Sequence, residues 1–173
     1  MKETINPFDC AEQITKALPK GILLNTNGEK FNTMVIGWGH LGVIWGLPTF
    51  TVYVRQSRYT KPQLDAAGEF TISVPFGENP ALSSEHTRLF GRLSGRDVDK
   101  ADHVNLEEPR TIHTPGIREY PLTLECKVLY RQDQVLAQIP QTVLDRYYAH
   151  GADDGDFHTA YIGQIVDAYI IRP

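Results

Sequence analysis

Between Phe31 and Thr60 the chain reads FNTMVIGWGHLGVIWGLPTFTVYVRQSRYT, two apolar strands that run into a knot of cationic and hydroxyl side chains. Thr60-Lys61-Pro62-Gln63 reads as a capping box, with Thr60 as N-cap, Pro62 in the first turn and Gln63 reaching back to the cap amide. A helix starting there turns free amides and a positive dipole end toward Arg55, Ser57 and Arg58, a set that suits a phosphate monoester. A capped surface helix with solvated arginines fits the same residues, and this motif alone does not choose between them.

The rest of the chain supplies partners for those strands. Residues 11 to 18 predict a short helix closed by Pro19, and a strand from Gly21 to Thr26 meets Asn27-Gly28, a strong hairpin signal, before returning through Lys30 to Trp38. Thr49 to Val54 and Glu69 to Val74 are β-branched and aromatic, with Gly68 a C-cap for the helix between them. Asn79-Pro80 opens a helix expected to run to about Leu93, with Gly95 as its terminator. Leu122, Leu124, Cys126, Val128 and Tyr130 alternate with Thr123, Glu125 and Lys127, predicting a half-buried strand from Tyr120 to Tyr130, and Tyr161 to Ile171 predicts another. Pro140 to Tyr148 reads as helical, GADDGD as a solvated loop, and residues 105 to 119 as the least structured stretch. Six strands at irregular spacing, with no parallel βαβ rhythm, predict a mainly antiparallel sheet with short inserted helices, closed into a small barrel so that few edges stay exposed.

At 173 residues the chain is expected to form a single domain, residues 1 to 173. Its net charge of −4 argues against a nucleic-acid partner. MKETINPFDCAEQITKALPKG has charges and a proline where a signal peptide needs an apolar run, and no later segment approaches a membrane span, so the expected address is cytoplasmic. Cys10 and Cys126 match no zinc or redox spacing; Cys126, on an apolar strand face, is expected to be buried and inert.

Gly37-Trp38-Gly39-His40-Leu41-Gly42 satisfies the letters of a dinucleotide fingerprint. The fingerprint needs a helix after the glycines and an acidic residue about 20 positions on, whereas Trp45-Gly46-Leu47-Pro48 precludes the helix and positions 57 to 62 hold no carboxylate. Trp38 and Trp45 fit either an aromatic ligand or a core or interface role. The six histidines show no metal-ligand spacing, Asp153, Asp154 and Asp156 lack the calcium-loop pattern, and no nucleophile elbow appears. Any chemistry is therefore expected to come from a bound cofactor, which the polypeptide positions.

KFNTMVIGWGHLGVIWGLPTFTVYVRQSRYT, EFTISVPF, SGRDVDK and HTAYIGQIV, in that order, resemble the flavin reductase-like, FMN-binding split-barrel proteins, flavoredoxin-type members included, from about Pro19 to Ile171. The resemblance implies a homodimer of six-stranded split barrels with FMN near the subunit interface. It places Asn32, Thr33, Met34 and Trp38 at the ring and ribityl chain, and Arg55, Ser57, Arg58 and Thr60 at the phosphate. Ser94, Arg96 and Lys100 match the block that lies over the cofactor, and His158 a histidine that touches flavin or donor. Two departures stand out: Gly37 replaces a serine, and Gln164 a glutamate whose loss is expected to reshape the region near His158. The resulting expectation is an FMN-dependent oxidoreductase that takes hydride or electrons from NAD(P)H or another donor. The alternative is an FMN carrier or electron-transfer protein without nicotinamide turnover.

Overall fold

The structure, a computed structural model, describes residues 1–77, 81–149 and 156–172. In chain order its elements are β1 (Lys2–Thr4), α1 (Ala11–Ala17), β2 (Ile22–Asn27), β3 (Phe31–Ile36), β4 (Gly39–Ile44), β5 (Leu47–Arg55), α2 (Thr60–Ala67) and β6 (Glu69–Val74). There follow α3 (Ser84–Arg92), β7 (Leu106–Glu107), β8 (Gly116–Ile117), β9 (Leu122–Asp133), α4 (Gln141–Tyr147) and β10 (His158–Ile171).

One sheet hydrogen-bonds in the order β3-β2-β6-β9-β10-β5-β4, with β1 added to β10, and its pairings are antiparallel. β3 and β4 stand at opposite ends of that order, yet only Gly37 and Trp38 separate them in the chain. The sheet must therefore curl until its two ends meet, with no ladder across the join. The barrel is split along the seam that Gly37 and Trp38 bridge.

Among the described residues the six predicted strands are all present, and four more appear. β4 escaped the sequence reading because Gly39, His40 and Gly42 dilute its pattern; its hairpin to β5 turns on Trp45 and Gly46, both at positive φ (53° and 73°), the pair of left-handed residues that a tight two-residue turn requires. The predicted Asn27-Gly28 hairpin forms, with Asn27 opposite Phe31. A side chain at Gly28 would lie 3.1 Å from Gln63 Cγ, so the turn packs directly on α2.

β2 is buried on both faces. Leu24 and Ile22 point into the barrel with Phe50, Val52, Phe70, Ile72, Leu124 and Cys126, and Ile14 and Ala17 of α1 join that core. Leu23 points outward into a second cluster with Phe31, Leu89 and Phe90 of α3, Ile117 and Tyr120. Each fully buried Leu, Ile or Phe contributes about 1.5–3 kcal/mol. Cys126 is buried as expected, and burial raises its thiol pKa.

Two expectations need correction. β9 is not half-buried at its start: Leu122 through Cys126 are buried on both faces, because residues 105–119 pack over it. Glu125 accepts from the amides of Arg110 (2.7 Å) and Thr111 (2.8 Å), while Glu69 of β6 accepts from the amide of His113 at 2.7 Å. Two buried carboxylates thus pin the stretch that reads as least structured, and it carries β7 and β8. α3 starts at Ser84, where Ser83 caps it by accepting from the His86 amide at 3.0 Å; the predicted cap, Asn79, lies outside the described residues, as do Pro80, His150, Asp153 and Asp154. Among the described residues, no helix is long and apolar enough to cross a membrane and no group of His, Cys, Asp and Glu could hold a metal.

Candidate functional site

The barrel seam is where the predicted site residues collect. A cavity of about 160 Å³ beside β3 and the start of α2 is lined by Asn32, Met34, Ser57, Arg58, Thr60, Ser94, Arg96 and Lys100, together with Tyr59, Arg92 and Gly95. A second cavity, of about 190 Å³, holds Gly37, Trp38, Tyr53, Arg55 and His158. Both are lined by Met34, Val35 and Arg58, so they form one groove along β3 with a polar end and an aromatic end.

The polar end is cationic. Arg58, Arg92, Arg96 and Lys100 line it, and no carboxylate among the described residues does. Lys100 is only 3% exposed, and its ammonium donates to the Thr33 carbonyl at 2.7 Å. Burial, helped by the Arg58 guanidinium, pulls its pKa down to about 8. Arg96 stacks over the Tyr59 ring at 5.3 Å, and Ser94 Oγ accepts from the Arg96 amide at 3.1 Å.

The capping box does not form. Tyr59, not Thr60, is the N-cap of α2, and no side chain caps it. Thr60 is 2% exposed and its hydroxyl accepts from Asn32 Nδ2 at 2.9 Å. Gln63 turns to the β2–β3 hairpin, accepting from Thr26 Oγ1 at 2.5 Å and donating to the Lys30 carbonyl at 3.3 Å. Both side chains satisfy buried polar groups of the hairpin, which outweighs a cap that solvent could replace. The exchange still positions the groove: Thr60 orients Asn32 so that its Oδ1 is buried without a hydrogen-bond partner. A Cβ at Gly95 would lie 2.2 Å from that Oδ1 and 2.8 Å from Tyr59 Cδ1, so only glycine lets residues 94–96 close over them.

The residues assigned to the phosphate divide. Arg58 lines both cavities, whereas Arg55 donates to the carbonyls of Asp156 (3.1 Å) and Tyr147 (2.8 Å) and lies over the Tyr148 ring. The Ser57 amide and hydroxyl donate to the Asp156 carboxylate at 3.0 and 2.6 Å. Asp156, read from the sequence as part of a solvated loop, therefore occupies the donors of Ser57. Thr33 lines neither cavity: its side chain is fully buried, and its carbonyl is what the groove uses.

At the aromatic end the Trp38 ring, 40% exposed, lies 4.9 Å from His158 at 44° and 5.2 Å from Tyr147, edge-on. Buried His158 is fixed through Nδ1, 2.8 Å from the Tyr148 hydroxyl. Tyr148 and Gln134 were missed because they sit on a helix end and a strand end whose meeting depends on the 134–157 excursion; an aromatic pair beside the predicted helix was the available signal. Among the described residues, a Cβ at Gly37 would find only the Leu18 carbonyl, 3.6 Å away, so a serine fits there. Gln164 lies six residues along β10 from His158, opposite Thr49 and Lys127, roughly 20 Å away at about 3.3 Å per residue, so its loss of charge does not reshape the region near His158.

The Flavin reductase like domain family model matches residues 15–173. Among solved structures, the chain is similar to flavoredoxin from Methanosarcina acetivorans, with TM-score 0.65 and 25% identity over 88% of this chain and 69% of that one. It is also similar in fold to a Streptomyces globisporus C-1027 NADH:FAD oxidoreductase, with TM-score 0.64 and 19% identity over 98% and 87%. An uncharacterized protein of Archaeoglobus fulgidus is 29% identical over 109 residues, 62% of this chain, and the match spans 59% of that protein's length. A sheet split at one seam, a groove along that seam and a family match over nearly the whole chain agree, and the chain belongs to the flavin reductase-like domain family.

Proposed function

We propose that this chain is an FMN-dependent oxidoreductase that holds FMN in the groove along β3, works as a homodimer with the groove near the subunit interface, and passes hydride or electrons from NADH or NADPH to an acceptor. The observation that carries the reading is a single groove whose one end gathers Arg58, Arg92, Arg96 and Lys100 and whose other end is flanked by Trp38 and His158. A flavin mononucleotide has that polarity, with a dianionic phosphate at one end and a flat ring at the other.

The residues present fit the group. Arg58 and Lys100 would neutralise the phosphate, and each charge-assisted bond contributes about 1.5–3 kcal/mol. The unpartnered Oδ1 of Asn32 would accept from a ribityl hydroxyl, which removes a buried polar atom's desolvation cost. Trp38 would flank the ring. Bound flavin supplies the redox chemistry; the chain orients it and excludes water. The cytoplasmic address belongs to this proposal, supported by two buried free cysteines.

The deciding experiment is release of the cofactor from freshly purified protein and its identification by mass, followed by anaerobic addition of NADH or NADPH. FMN that bleaches on addition of either nucleotide supports the oxidoreductase. FMN that stays oxidised supports the carrier reading, which the lack of a nicotinamide fingerprint favours. No flavin after release, and none bound on titration, overturns both.

A further inference from the structure

The two oxygens of one carboxylate hold both donors of Ser57. Its amide donates to Asp156 Oδ1 at 3.0 Å, and its hydroxyl donates to Asp156 Oδ2 at 2.6 Å. A serine hydroxyl has one proton and a carboxylate has none to give, so that proton points at Asp156 and Ser57 Oγ has only lone pairs left to offer elsewhere. Yet Ser57 lines the cationic end of the groove with Arg58, Arg96 and Lys100, and Arg96 Nη1 donates to the Ser57 carbonyl at 3.4 Å. A phosphate dianion presents acceptors alone and gains nothing from a hydroxyl that is itself accepting. Where a ligand's anion needs these donors, an anion of the chain's own already holds them.

We propose that Asp156 is a built-in competitor for the anion site of this groove: its carboxylate holds the Ser57 amide and hydroxyl until a phosphate displaces it, and so sets how tightly a phosphorylated ligand is bound. The exchange needs no movement of the backbone. Arg55 Nη1 donates to the Asp156 carbonyl at 3.1 Å, and the Gln56 amide donates to the Phe157 carbonyl at 3.1 Å, so the main chain there stays tied to β5 while rotation of the Asp156 side chain frees both donors. The carboxylate brings one charge and two oxygens. A phosphate monoester brings close to two charges and three oxygens, and Arg58, Arg96 and Lys100 line the same cavity to receive it. Apparent affinity is lowered by the fraction of molecules in which Ser57 is released. That the phosphate belongs to FMN rests on the function proposed above; the competition itself rests on the Ser57 contacts.

The test uses FMN, riboflavin and inorganic phosphate as probes of the full chain, freed of flavin, at fixed pH and ionic strength. Flavin affinities are read by fluorescence, and phosphate affinity from the Ser57 amide in ¹H–¹⁵N correlation spectra. Asp156→Ala is expected to bind both FMN and inorganic phosphate about tenfold more tightly, the low end for one charge-assisted bond. Asp156→Asn, whose carbonyl still accepts from Ser57, is expected to gain less. Riboflavin has no phosphate and is expected to bind the wild type and both variants alike. In a Ser57→Ala background the gain from Asp156→Ala shrinks, because the contested hydroxyl is gone. A gain that persists there in full, or that riboflavin shares, would reduce Asp156 to a charge acting at a distance and overturn the inference. So would a phosphate affinity no tighter in Asp156→Ala than in the wild type, or a Ser57 amide that phosphate moves in neither protein. Failure of FMN to bind while inorganic phosphate shows the expected gain removes the flavin reading and leaves the competition standing.

Discussion

Lys100 costs stability where it lines the cationic end of the groove, the end proposed to hold the phosphate. Its burial lowers the pKa from the ordinary lysine range to about 8, so holding the ammonium in the folded chain costs roughly 3 kcal/mol. The cost is present in full below about pH 8. As pH climbs from there toward the ordinary lysine range, the unfolded chain binds more protons than the folded one, and stability rises with pH. Urea unfolding of flavin-free protein is therefore expected to show a gain across that window that Lys100→Met lacks; parallel pH profiles for the two proteins would refute the assignment. A phosphate dianion favours the charged lysine, so FMN affinity, read by flavin fluorescence, is expected to weaken as pH rises through about 8 in the wild type and to respond less in Lys100→Met. Arg58→Ala is expected to weaken FMN binding roughly tenfold to a hundredfold, the equivalent of one charge-assisted bond. Unchanged affinity would remove Arg58 from the phosphate. That Arg58, Asn32 and Lys100 come together was legible in the sequence through the family resemblance, and they line one cavity. The engagement of Ser57 with Asp156 was not, since residues 99 positions apart meet only through the fold.

At the scale of elements, the segment after α3 and strand β10 show two different uses of glycine contacts. Gly95 lets the segment after α3 close over Asn32 and Tyr59, and Gly95→Ala is expected to displace Asn32 and weaken FMN binding while the fold survives, because the obstructing atom is the end of a side chain. Gly163 sits at a register shift between β9 and β10, and a Cβ there would lie 2.6 Å from two ring atoms of Phe70 and 3.0 Å from Cys126 Cβ. Gly163→Ala overpacks the barrel core and is expected to destabilise by about 1–3 kcal/mol, seen as a lower urea midpoint with an unchanged slope. An unaltered midpoint would mean that Phe70 moves freely. Helix α2 itself was predicted at its start and at its Gly68 C-cap, where φ is +65°, yet its capping box was not realised. Local pattern matching sees that Thr60 and Gln63 have the right spacing; it cannot see that Asn32 and Thr26 offer them buried partners.

For the whole molecule, the β4–β5 hairpin projects Val43 and Trp45, each 64% exposed, at its tip, the end of β5 away from Arg55 and the aromatic end of the groove. Large apolar side chains held at a hairpin tip fit coverage by a second subunit, the homodimer of the proposed function. Trp45→Asp is expected to shift the protein from dimer to monomer in sedimentation velocity and to weaken FMN retention with it. A wild type that sediments as a monomer at micromolar concentration would defeat this part of the proposal. Gly37→Ser offers the complementary case: with only the Leu18 carbonyl, among the described residues, near the new Cβ, it is expected to fold with wild-type stability, so any change in the flavin spectrum reports contact between that position and the ring.

The chain's alternation of apolar and polar residues settled that it forms a mainly antiparallel sheet with short helices, because strand formation depends on which side chains recur at a spacing of two and where glycine and proline interrupt them. The closure of that sheet was decided by tertiary structure. β3 and β4 become its two ends, and the join at Gly37 and Trp38 places Asn32, Arg58, Lys100 and His158 along one groove. Long-range pairing also buried Glu69 and Glu125, the latter on the polar side of the β9 alternation, since the returning 105–119 segment supplies the amides that make their burial affordable. Periodicity is a property of neighbours in the chain, whereas the satisfaction of buried charge is a property of neighbours in space.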